Sequence, residues 1–368
     1  MGDLLPVVLG GSGDDGALLR LALSLSAASG RGFRVARFRE GEAAPGLGPA
    51  DLAAVAAAAG ICGAEVEGAA PGSAALRFEP RHPPRSREGL ALDAGDGGSA
   101  GQLLQVVCWP LALAGAPSTL TLRGATHAAG APGFHEHVLS WAPAAARLGF
   151  AQSASLGRAA FGAGGEIFAR VEPAHPMPPL DLRHRGLLQE VRVLALTAGA
   201  APDAGHALAT RAVRGLRRLG VAAEAEGLAL PAADRHGAQV LVLATFERVR
   251  AAHAAVAGAP GGPDAADAAV AAFGEQLLSG GALGGGLAEG LLAPAGLLAA
   301  RRVRPPEGVI PVTRWSVARV TRSLLAGAAL LPRLLDVSAA VFGREGEPGE
   351  VRVAPADASP DVLPLRRD

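Results

Sequence analysis

A glycine-rich turn followed by two amide side chains is the first group of residues whose spacing could support chemistry. The run 93–101, Asp-Ala-Gly-Asp-Gly-Gly-Ser-Ala-Gly, can expose backbone N–H groups ahead of an apolar segment, 102–114, that is long enough for a helix. Gln102 and Gln105 lie three residues apart on that helix and share a face. This layout is typical of an anion-facing helix start, although buried amides can also serve as structural partners of the backbone.

Polar residues also follow the next predicted strand. The alternation at 119–122 indicates a half-buried strand, which brings Arg123 and His127 to its end, where ligands are commonly bound. His127, His135 and His137 form the densest histidine group, but the last two would point to different sides of a helix. No HExxH or Cys/His spacing supports zinc. We therefore predict a polar pocket wall around His127 and no metal site.

An earlier glycine loop, 10–16, follows a short apolar strand and opens a helix, which is a place where a phosphate could rest. The loop lacks the Gly-Lys-Ser/Thr ending of a P-loop. Asp14 and Asp15 would repel a triphosphate unless a divalent ion bridged them, and both are explained as caps of the helix. The pattern favours the capping role.

Arginines crowd the last part of the chain. A guanidinium cluster suits bidentate phosphate contacts, which makes this region a candidate for binding an RNA or nucleotide backbone, with a solvated helix face as the alternative. The arginines are Arg301, Arg302, Arg304, Arg314, Arg319, Arg322 and Arg333.

The elements that would position these residues recur along the chain. The order strand, helix, strand, helix, two strands covers 6–80 and is repeated over 90–173. A third copy begins near 284, with helices at 287–300 and 315–330 and strands at 309–312, 339–342 and 351–353. Between the second and third copies, strands and helices of a different rhythm indicate an inserted unit.

The predicted fold is therefore of the α/β (α+β) class, with three repeated βαβαββ units forming a large domain and a smaller inserted α/β domain. The predicted boundaries are 1–180 for the first two repeats, 181–275 for the insertion, 276–343 for the third repeat and 344–368 for a tail.

Composition limits the classes of function. The 34 basic and 34 acidic residues cancel, so no global field would attract DNA or an anionic membrane, and a polyanion would have to be bound locally. The chain contains no lysine, which excludes a P-loop lysine and a lysine nucleophile. Two cysteines do not form a disulfide framework, and no signal peptide or membrane span is apparent. We expect a soluble cytoplasmic protein.

Several blocks resemble the RNA 3′-terminal phosphate cyclase family, in family order from about residue 10 to 324. They are GEAAPGLGPADLAAVAAAAGICGAEVEGAAPGSAALRFEP, DAGDGGSAGQLLQ, TLTLRGATHAAGAPGFH, FGAGGEI and LAEGLLAPAGLLA. The resemblance implies three βαβαββ repeats with an inserted α/β domain. It also implies ATP and a divalent cation as cofactors and an RNA 3′ end as partner. In that family, a histidine is adenylated, AMP passes to the RNA 3′-phosphate, and the 2′-hydroxyl attacks to give a 2′,3′-cyclic phosphate.

Carrying the family's site residues over to this sequence gives both matches and departures. The matching positions are Arg20, Gln105, Arg123 and His127, and Asp14 is an imperfect match for a glutamate of the first loop. The alignment places Val312 where the family has its nucleophilic histidine, and no histidine follows His253 in the sequence. Other departures are Ala17 for a glutamine, Glu42 for an arginine and Ala50-Asp51 for Gln-His. With Arg314 from the arginine cluster, the predicted nucleotide- and RNA-binding set is Asp14, Arg20, Gln105, Arg123, His127 and Arg314.

Three functional hypotheses remain open from the sequence. The first is an ATP-dependent cyclase of RNA 3′-phosphates that works through adenylylated intermediates. The second is a catalytically silent paralogue that binds RNA or a ribonucleoprotein partner, because loss of a covalent nucleophile usually costs several orders of magnitude in rate. The third is an altered nucleotide-dependent reaction in the retained pocket.

Overall fold

The structure, a computed structural model, describes residues 5–8, 15–199, 203–231, 237–257 and 264–358. Asp14 and most of the first glycine loop lie outside the described residues, as does the loop 258–263. The strands are β1 (Leu5–Val8), β2 (Phe33–Ala36), β3 (Glu65–Glu67), β4 (Leu76–Glu79), β5 (Leu90–Asp93), β6 (Ser118–Gly124), β7 (Gln152–Arg158), β8 (Gly165–Val171), β9 (Asp181–Leu182), β10 (Leu188–Ala198), β11 (Glu224–Ala229), β12 (Gly237–Phe246), β13 (Arg250–Val256), β14 (Thr313–Val317), β15 (Val337–Phe342) and β16 (Gly349–Pro355).

The helices separate these strands in the order that the repeats require. They are α1 (Asp15–Ser29), α2 (Pro49–Cys62), α3 (Ala100–Ala112), α4 (Phe134–Glu136), α5 (Ala142–Ala146), α6 (Ala204–Arg218), α7 (Ala265–Ser279), α8 (Gly285–Gly290), α9 (Leu292–Ala299) and α10 (Arg322–Leu334). A π-helical segment, His137–Trp141, joins α4 to α5.

Three of the sheets share one strand order, which confirms the repeated βαβαββ fold. The orders are β1-β2-β4-β3, β5-β6-β8-β7 and β9-β14-β16-β15, so each unit arranges its strands as first, second, fourth and third. In each sheet, the first two strands pair in parallel and the other pairs are antiparallel. A parallel pair needs a crossover, and in each unit a helix supplies it.

The third unit differs in detail from the sequence prediction. Its first strand is β9, so the inserted strands and helices interrupt this unit after its first strand and run from Leu188 to Ser279. Its last strand, β16, lies between β14 and β15, so the chain as far as Pro355 forms part of this sheet, whereas a tail was predicted from 344.

The predicted strand at 309–312 and helix at 315–330 are wrong in position. The segment Thr313–Val317 alternates buried and half-exposed residues with a period of two, as a strand does, and Trp315 is fully buried in it. The helix α10 begins later because the Thr321 side chain accepts a hydrogen bond from the Leu324 N–H and caps it.

The second helix of the second unit is divided into α4, the π-helical segment and α5. Pro143 has no N–H to donate inside this run, and the Ala142 N–H bonds to the His137 carbonyl, one residue further back than in an α-helix. The wider turn places His137, Ser140 and Trp141 in the interior.

Helices from the three units meet at the centre of the large domain. The helix α1 packs against α2, α3, α9 and α10, which explains why Leu19, Leu23 and Leu25 are all fully buried on a helix with little amphipathic character. Trp109 of α3 lies 4.8 Å, centroid to centroid, from Trp141 and 5.4 Å from Phe150. The units are thus joined through helices rather than through their sheets.

The inserted unit is a four-stranded sheet, β11-β10-β12-β13, with α6 and α7 packed on it. Its strand β13 approaches the large domain, where the Ser140 hydroxyl donates to the Arg250 carbonyl at 3.0 Å. His253 and Gln276 share a buried hydrogen bond of 2.6 Å, and the Gln276 amide donates to the Ala282 carbonyl. The Ser140 contact fixes the insertion against the second unit, and the Gln276 contact fixes it against the segment that leads into α8 of the third unit.

Candidate functional site

A cavity of about 370 Å³ opens where helices of all three units converge. Its polar lining comes from Arg20 and Ser24 of α1, Gln102 and Gln105 of α3, Glu136, Glu289 of α8 and Ser323 of α10. Trp109, Pro132, Trp141 and Leu292 supply apolar walls, and Ala254 of the inserted β13 closes one edge. A concave site with an apolar wall and a few convergent polar groups is the usual form of a small-molecule pocket.

Helical periodicity explains which side chains face the cavity. On α1, Ala17, Leu21 and Ser24 follow at spacings of three and four residues and lie on one face together with Arg20. On α3, Gln102, Gln105 and Trp109 repeat the same spacing. Ser99 sets the start of α3 by accepting a hydrogen bond from the Gln102 N–H at 3.3 Å, so both glutamines lie in the first turns of the helix.

A carboxylate with two hydroxyl partners forms the corner contributed by the third unit. The Thr321 hydroxyl donates to Glu289 Oε1 at 2.6 Å and the Ser323 hydroxyl donates to the same oxygen at 2.7 Å. Thr321 also caps α10, so the cap and the carboxylate are fixed together. This corner is polar and pre-organised.

Charged side chains gather at the start of α1, beside the cavity. Asp51 accepts two hydrogen bonds from the Arg39 guanidinium, at 2.6 and 3.3 Å, and one from the Gly48 N–H at 2.9 Å. Asp15 accepts from the Arg39 backbone N–H at 3.0 Å. Arg39 has a φ of 51°, and a Cβ on Gly16 would lie 2.7 Å from its guanidinium, so a larger residue there would displace the end of the Arg39 side chain.

Burial is the main influence on the pKa of Arg20, which lines the cavity next to this cluster. It lowers the pKa of the guanidinium, Asp51 raises that pKa, and Arg39 lowers it further. The guanidinium remains charged because its ordinary pKa is so high. A partly desolvated arginine at the wall of a cavity is suited to bidentate binding of phosphate.

His127 belongs to a buried network behind the cavity wall. Its Nδ1 lies 2.8 Å from the Thr126 hydroxyl, its Nε2 lies 2.9 Å from His135 Nδ1, and its ring stacks on Phe161. Burial, followed by the neighbouring His135, lowers the pKa of His127 to about 3, so the ring is neutral at physiological pH. The side chain supports the turn that follows β6 and does not line the cavity.

The other predicted site residues lie in different places. Gln105 joins Arg20 in the cavity, whereas Arg123 is exposed at the end of β6, 3.4 Å from Glu166. Arg314 lies on the third sheet, paired in register with Arg352 on one side and Asp181 on the other. Burial lowers the pKa of Arg314, and the neighbouring Arg183 lowers it further.

The arginines near the C-terminus do not form one cluster. Arg301 pairs with Asp357, Arg319 with Glu275 and Arg322 with Glu345, all in exposed ion pairs on different elements. These arginines are close together in the sequence, but the structure places them on different elements.

Val312, the residue aligned with the family's histidine, does not line the cavity. It precedes β14, while Thr321 and its contact with Glu289 follow that strand. None of the described residues that line the cavity is a histidine.

Several cavity residues were not singled out by their sequence pattern. Glu136, Trp141, Glu289 and Ser323 come from segments distant in the chain, and each has an ordinary local role as a helix residue. Ser323 lies in the first turn of α10 just after a threonine cap, and Glu289 lies within the block LAEGLLAPAGLLA, so the family resemblance is the one signal that could have indicated them.

Glu136 differs from the other carboxylates of the site in its protonation. Burial raises its pKa to about 7, although a hydrogen bond from the Gly133 backbone acts in the opposite direction. The group is therefore divided between its acid and carboxylate forms near neutral pH, which suits proton transfer.

The raised pKa of Glu136 predicts a pH dependence of stability. The folded state retains a proton that the unfolded chain loses above its ordinary pKa, so this stabilisation is present at low pH and is lost as pH rises through about 7. Relative to E136Q, we expect the free energy of unfolding of the wild type to fall with pH, by at most about 1.4 kcal/mol per pH unit. Urea unfolding of both proteins between about pH 5 and pH 8 tests this, and parallel profiles would contradict it.

Two negative findings apply to the described parts of the chain. No group of three or more histidine, cysteine, aspartate or glutamate side chains there could hold a metal ion. No helix among the same residues has the length and apolar character that a membrane crossing requires.

Comparison with known proteins matches most of the chain to one family. The sequence profile described as RNA 3′-terminal phosphate cyclase matches residues 12–341. A protein of that name from Methylococcus capsulatus is 35% identical over 325 residues, covering 83% of this chain and 89% of that protein. The protein of that name from Ralstonia nicotianae is 40% identical over 190 residues, covering 51% of this chain and 54% of that protein. The one from Salmonella agona is 32% identical over 326 residues, covering 88% of this chain and 90% of that protein. A structure of the enolpyruvyl transferase NikO from Streptomyces tendae overlaps weakly, with a TM-score of 0.26 and 18% identity over 46% of this chain and 33% of that one.

Proposed function

This chain belongs to the RNA 3′-terminal phosphate cyclase family, and from that premise we propose that it uses ATP to convert an RNA 3′-phosphate into a 2′,3′-cyclic phosphate in the cavity between its three units. The observation that carries the proposal is the convergence of Arg20, Gln105 and the Glu289 corner on one cavity. Each comes from a different helix, so the fold rather than local sequence brings them together.

The side chains of the cavity match the groups that such a reaction must hold. Arg20 offers a planar fork of N–H donors to a phosphate of ATP or RNA. The amides of Gln102 and Gln105 can both donate and accept hydrogen bonds, as recognition of a nucleoside requires. The apolar faces of Trp109, Trp141 and Pro132 suit the packing of a base or ribose.

The proposed reaction consists of two displacements and passes through an adenylylated RNA. An oxygen of the RNA 3′-phosphate attacks the α-phosphorus of ATP, and the bond to pyrophosphate breaks. The 2′-hydroxyl oxygen then attacks the 3′-phosphorus, the hydroxyl proton passes to a base, and AMP leaves. Glu136, with a pKa of about 7, is the group proposed to take that proton.

The proposed reaction includes no covalent adduct between AMP and the protein. No histidine follows His253, and the described lining of the cavity contains none. A divalent cation, expected for this family, would be held mainly by the phosphates of ATP, because the described residues do not offer three metal-binding side chains together.

The absent histidine also favours a second candidate, a catalytically silent protein that binds RNA or a ribonucleoprotein. The test incubates the full chain with α-labelled ATP, a divalent cation and RNA bearing a 3′-phosphate, with 3′-hydroxyl RNA as the control. Cyclic-phosphate ends formed only on the phosphorylated RNA, with release of AMP, support the cyclase. RNA binding without AMP release or cyclic-phosphate ends would contradict the cyclase proposal and support the catalytically silent protein. An acid-labile labelled protein would show that another side chain accepts AMP, contrary to the mechanism written above.

A further inference from the structure

A basic stripe covers one face of α6 in the inserted unit. His206, Thr210, Arg214 and Arg218 follow each other at intervals of four residues, so they lie above one another along the helix. All except the half-buried Thr210 are exposed, while the opposite face of α6 buries Ala209, Val213 and Leu216 in the insertion. We call these four residues the α6 stripe.

The stripe lies in a groove rather than on a convex surface. The groove is lined by the stripe together with Ala207, Arg211 and Asp267 of the adjacent α7. Asp267, the carboxylate among the described lining residues, accepts a hydrogen bond from the Arg211 guanidinium at 2.5 Å. Asp264 also lies 3.5 Å from that guanidinium. Among the described residues, no carboxylate lies within ion-pair distance of Arg214 or Arg218.

Some exposed arginines among the described residues pair with a carboxylate, and others do not. Arg81, Arg170 and Arg301, for example, each contact a carboxylate within 3.3 Å. Arg214 and Arg218 are distinguished by lying one turn apart on a single helix face that lines a groove, so their positive charges add there. Arg218 also lies near enough to Asp267 to help lower the pKa of that carboxyl.

The groove is separate from the cavity described above. The cavity touches the insertion only at Ala254 of β13, whereas α6 packs on β10 and β11. β11 and β13 are the two edges of the four-stranded sheet, and three strand spacings amount to about 14 Å. A ligand that reaches both places must be a chain of several units.

We propose that the α6 stripe binds the phosphate backbone of RNA upstream of the 3′ end that enters the cavity. The inference rests on the proposed function, because that function supplies a polyanion whose end lies in the cavity. Arginine forks and a threonine hydroxyl bind phosphate oxygens without reading sequence, so the contact is expected to tolerate any sequence. Its contribution should depend strongly on salt, because each neutralised phosphate releases counterions.

The test compares R214Q/R218Q with the wild type in binding 3′-phosphorylated RNAs of different length. Glutamine retains the helix propensity of arginine, so α6 is expected to fold. For a single strand of about 20 nucleotides, we expect affinity to fall by about tenfold and the slope of log K against log salt to become shallower by about 1.4. For a 3′-phosphorylated dinucleotide, we expect no change, because it cannot span the two places.

The matched control is R81Q/R170Q, which removes the same charge from exposed arginines elsewhere. An equal loss of RNA affinity in this control would overturn the proposal, because net charge alone would explain the result. Unchanged binding of the long RNA by R214Q/R218Q would also overturn the proposal. If the same variant lost binding to phosphatidylserine vesicles, the stripe would bind an anionic membrane and not RNA. Cyclisation of the short RNA by the wild type is measured separately, so failure of the stripe and failure of the proposed function are distinguishable.

Discussion

Replacing Arg20 with glutamine is expected to lower the rate of ATP-dependent cyclisation by about 100- to 1,000-fold, the loss usual when one group that stabilises developing charge is removed. The side chain lines the cavity and is partly desolvated, so its interaction with a phosphate is little screened by water. Glutamine retains hydrogen-bonding capacity but lacks the positive charge. The effect should appear in kcat/KM for RNA 3′-phosphate at saturating ATP.

Two variants distinguish the role of Arg20 from a general effect of charge. R20K keeps the charge and loses the planar fork, so its activity should fall between those of the wild type and R20Q. R31Q removes a guanidinium that pairs with the exposed Asp336 and does not line the cavity, and it should be fully active. If R20Q folds, as far-UV circular dichroism would show, and cyclises RNA at the wild-type rate, Arg20 does not hold the reacting phosphates.

Replacing Asp51 with alanine is expected to destabilise the fold by about 2 to 3 kcal/mol, because a buried carboxylate is lost from a partly buried ion pair and from a backbone N–H. Asp51 is 2% exposed. Its carboxylate accepts from the Arg39 guanidinium and from the Gly48 N–H, which is the N-cap backbone group of α2. The change therefore removes the closest carboxylate of the Arg39 guanidinium, which keeps only the longer contact with Glu42 at 3.7 Å, and it leaves the Gly48 N–H without its acceptor.

The control for Asp51 is Asp336, whose ion pair with Arg31 is largely exposed. D336A should cost about 1 kcal/mol at most, because water screens the pair and solvates the remaining guanidinium. The measurement is the midpoint of urea unfolding at unchanged denaturant slope. D51N separates charge from hydrogen bonding, since its amide oxygen can still accept from Gly48. Equal midpoints for D51A and D336A would show that the Arg39 contact adds little to stability.

Local sequence patterns located most of the helices of the large domain, and of the six predicted site residues the structure places Arg20 and Gln105 in the cavity. Gln105 was singled out by its spacing from Gln102 on α3, whereas Arg20, on a helix with little amphipathic character, was indicated by the family resemblance. Arg123 and His127 were correctly placed at the end of a strand, but the pattern could not show that His127 would be buried behind the wall with Thr126 and His135. Asp14 remains a prediction, because it lies outside the described residues.

The third unit shows where local patterns were insufficient. Trp315 begins an apolar stretch that resembles a helix, yet its neighbours alternate across a sheet because β16 and β9 supply hydrogen-bonding partners on both sides. β16 contains the strand predicted at 351–353, although the predicted domain boundary placed 344–368 in a tail. Strand identity in this unit thus depends on pairing between segments distant in the chain.

The amino-acid sequence alone established the family, the repeated βαβαββ order and the presence of an insertion, because motif order and hydrophobic period are properties of neighbouring residues. Tertiary structure decided which side chains meet. It brought Glu136, Glu289 and Ser323 to Arg20 and Gln105, separated Arg314 from them, and left the α6 stripe exposed on the far side of the insertion. The physical reason is that the cavity is formed by helices of three units that pack through apolar contacts, and such packing depends on distances between segments that no local period encodes.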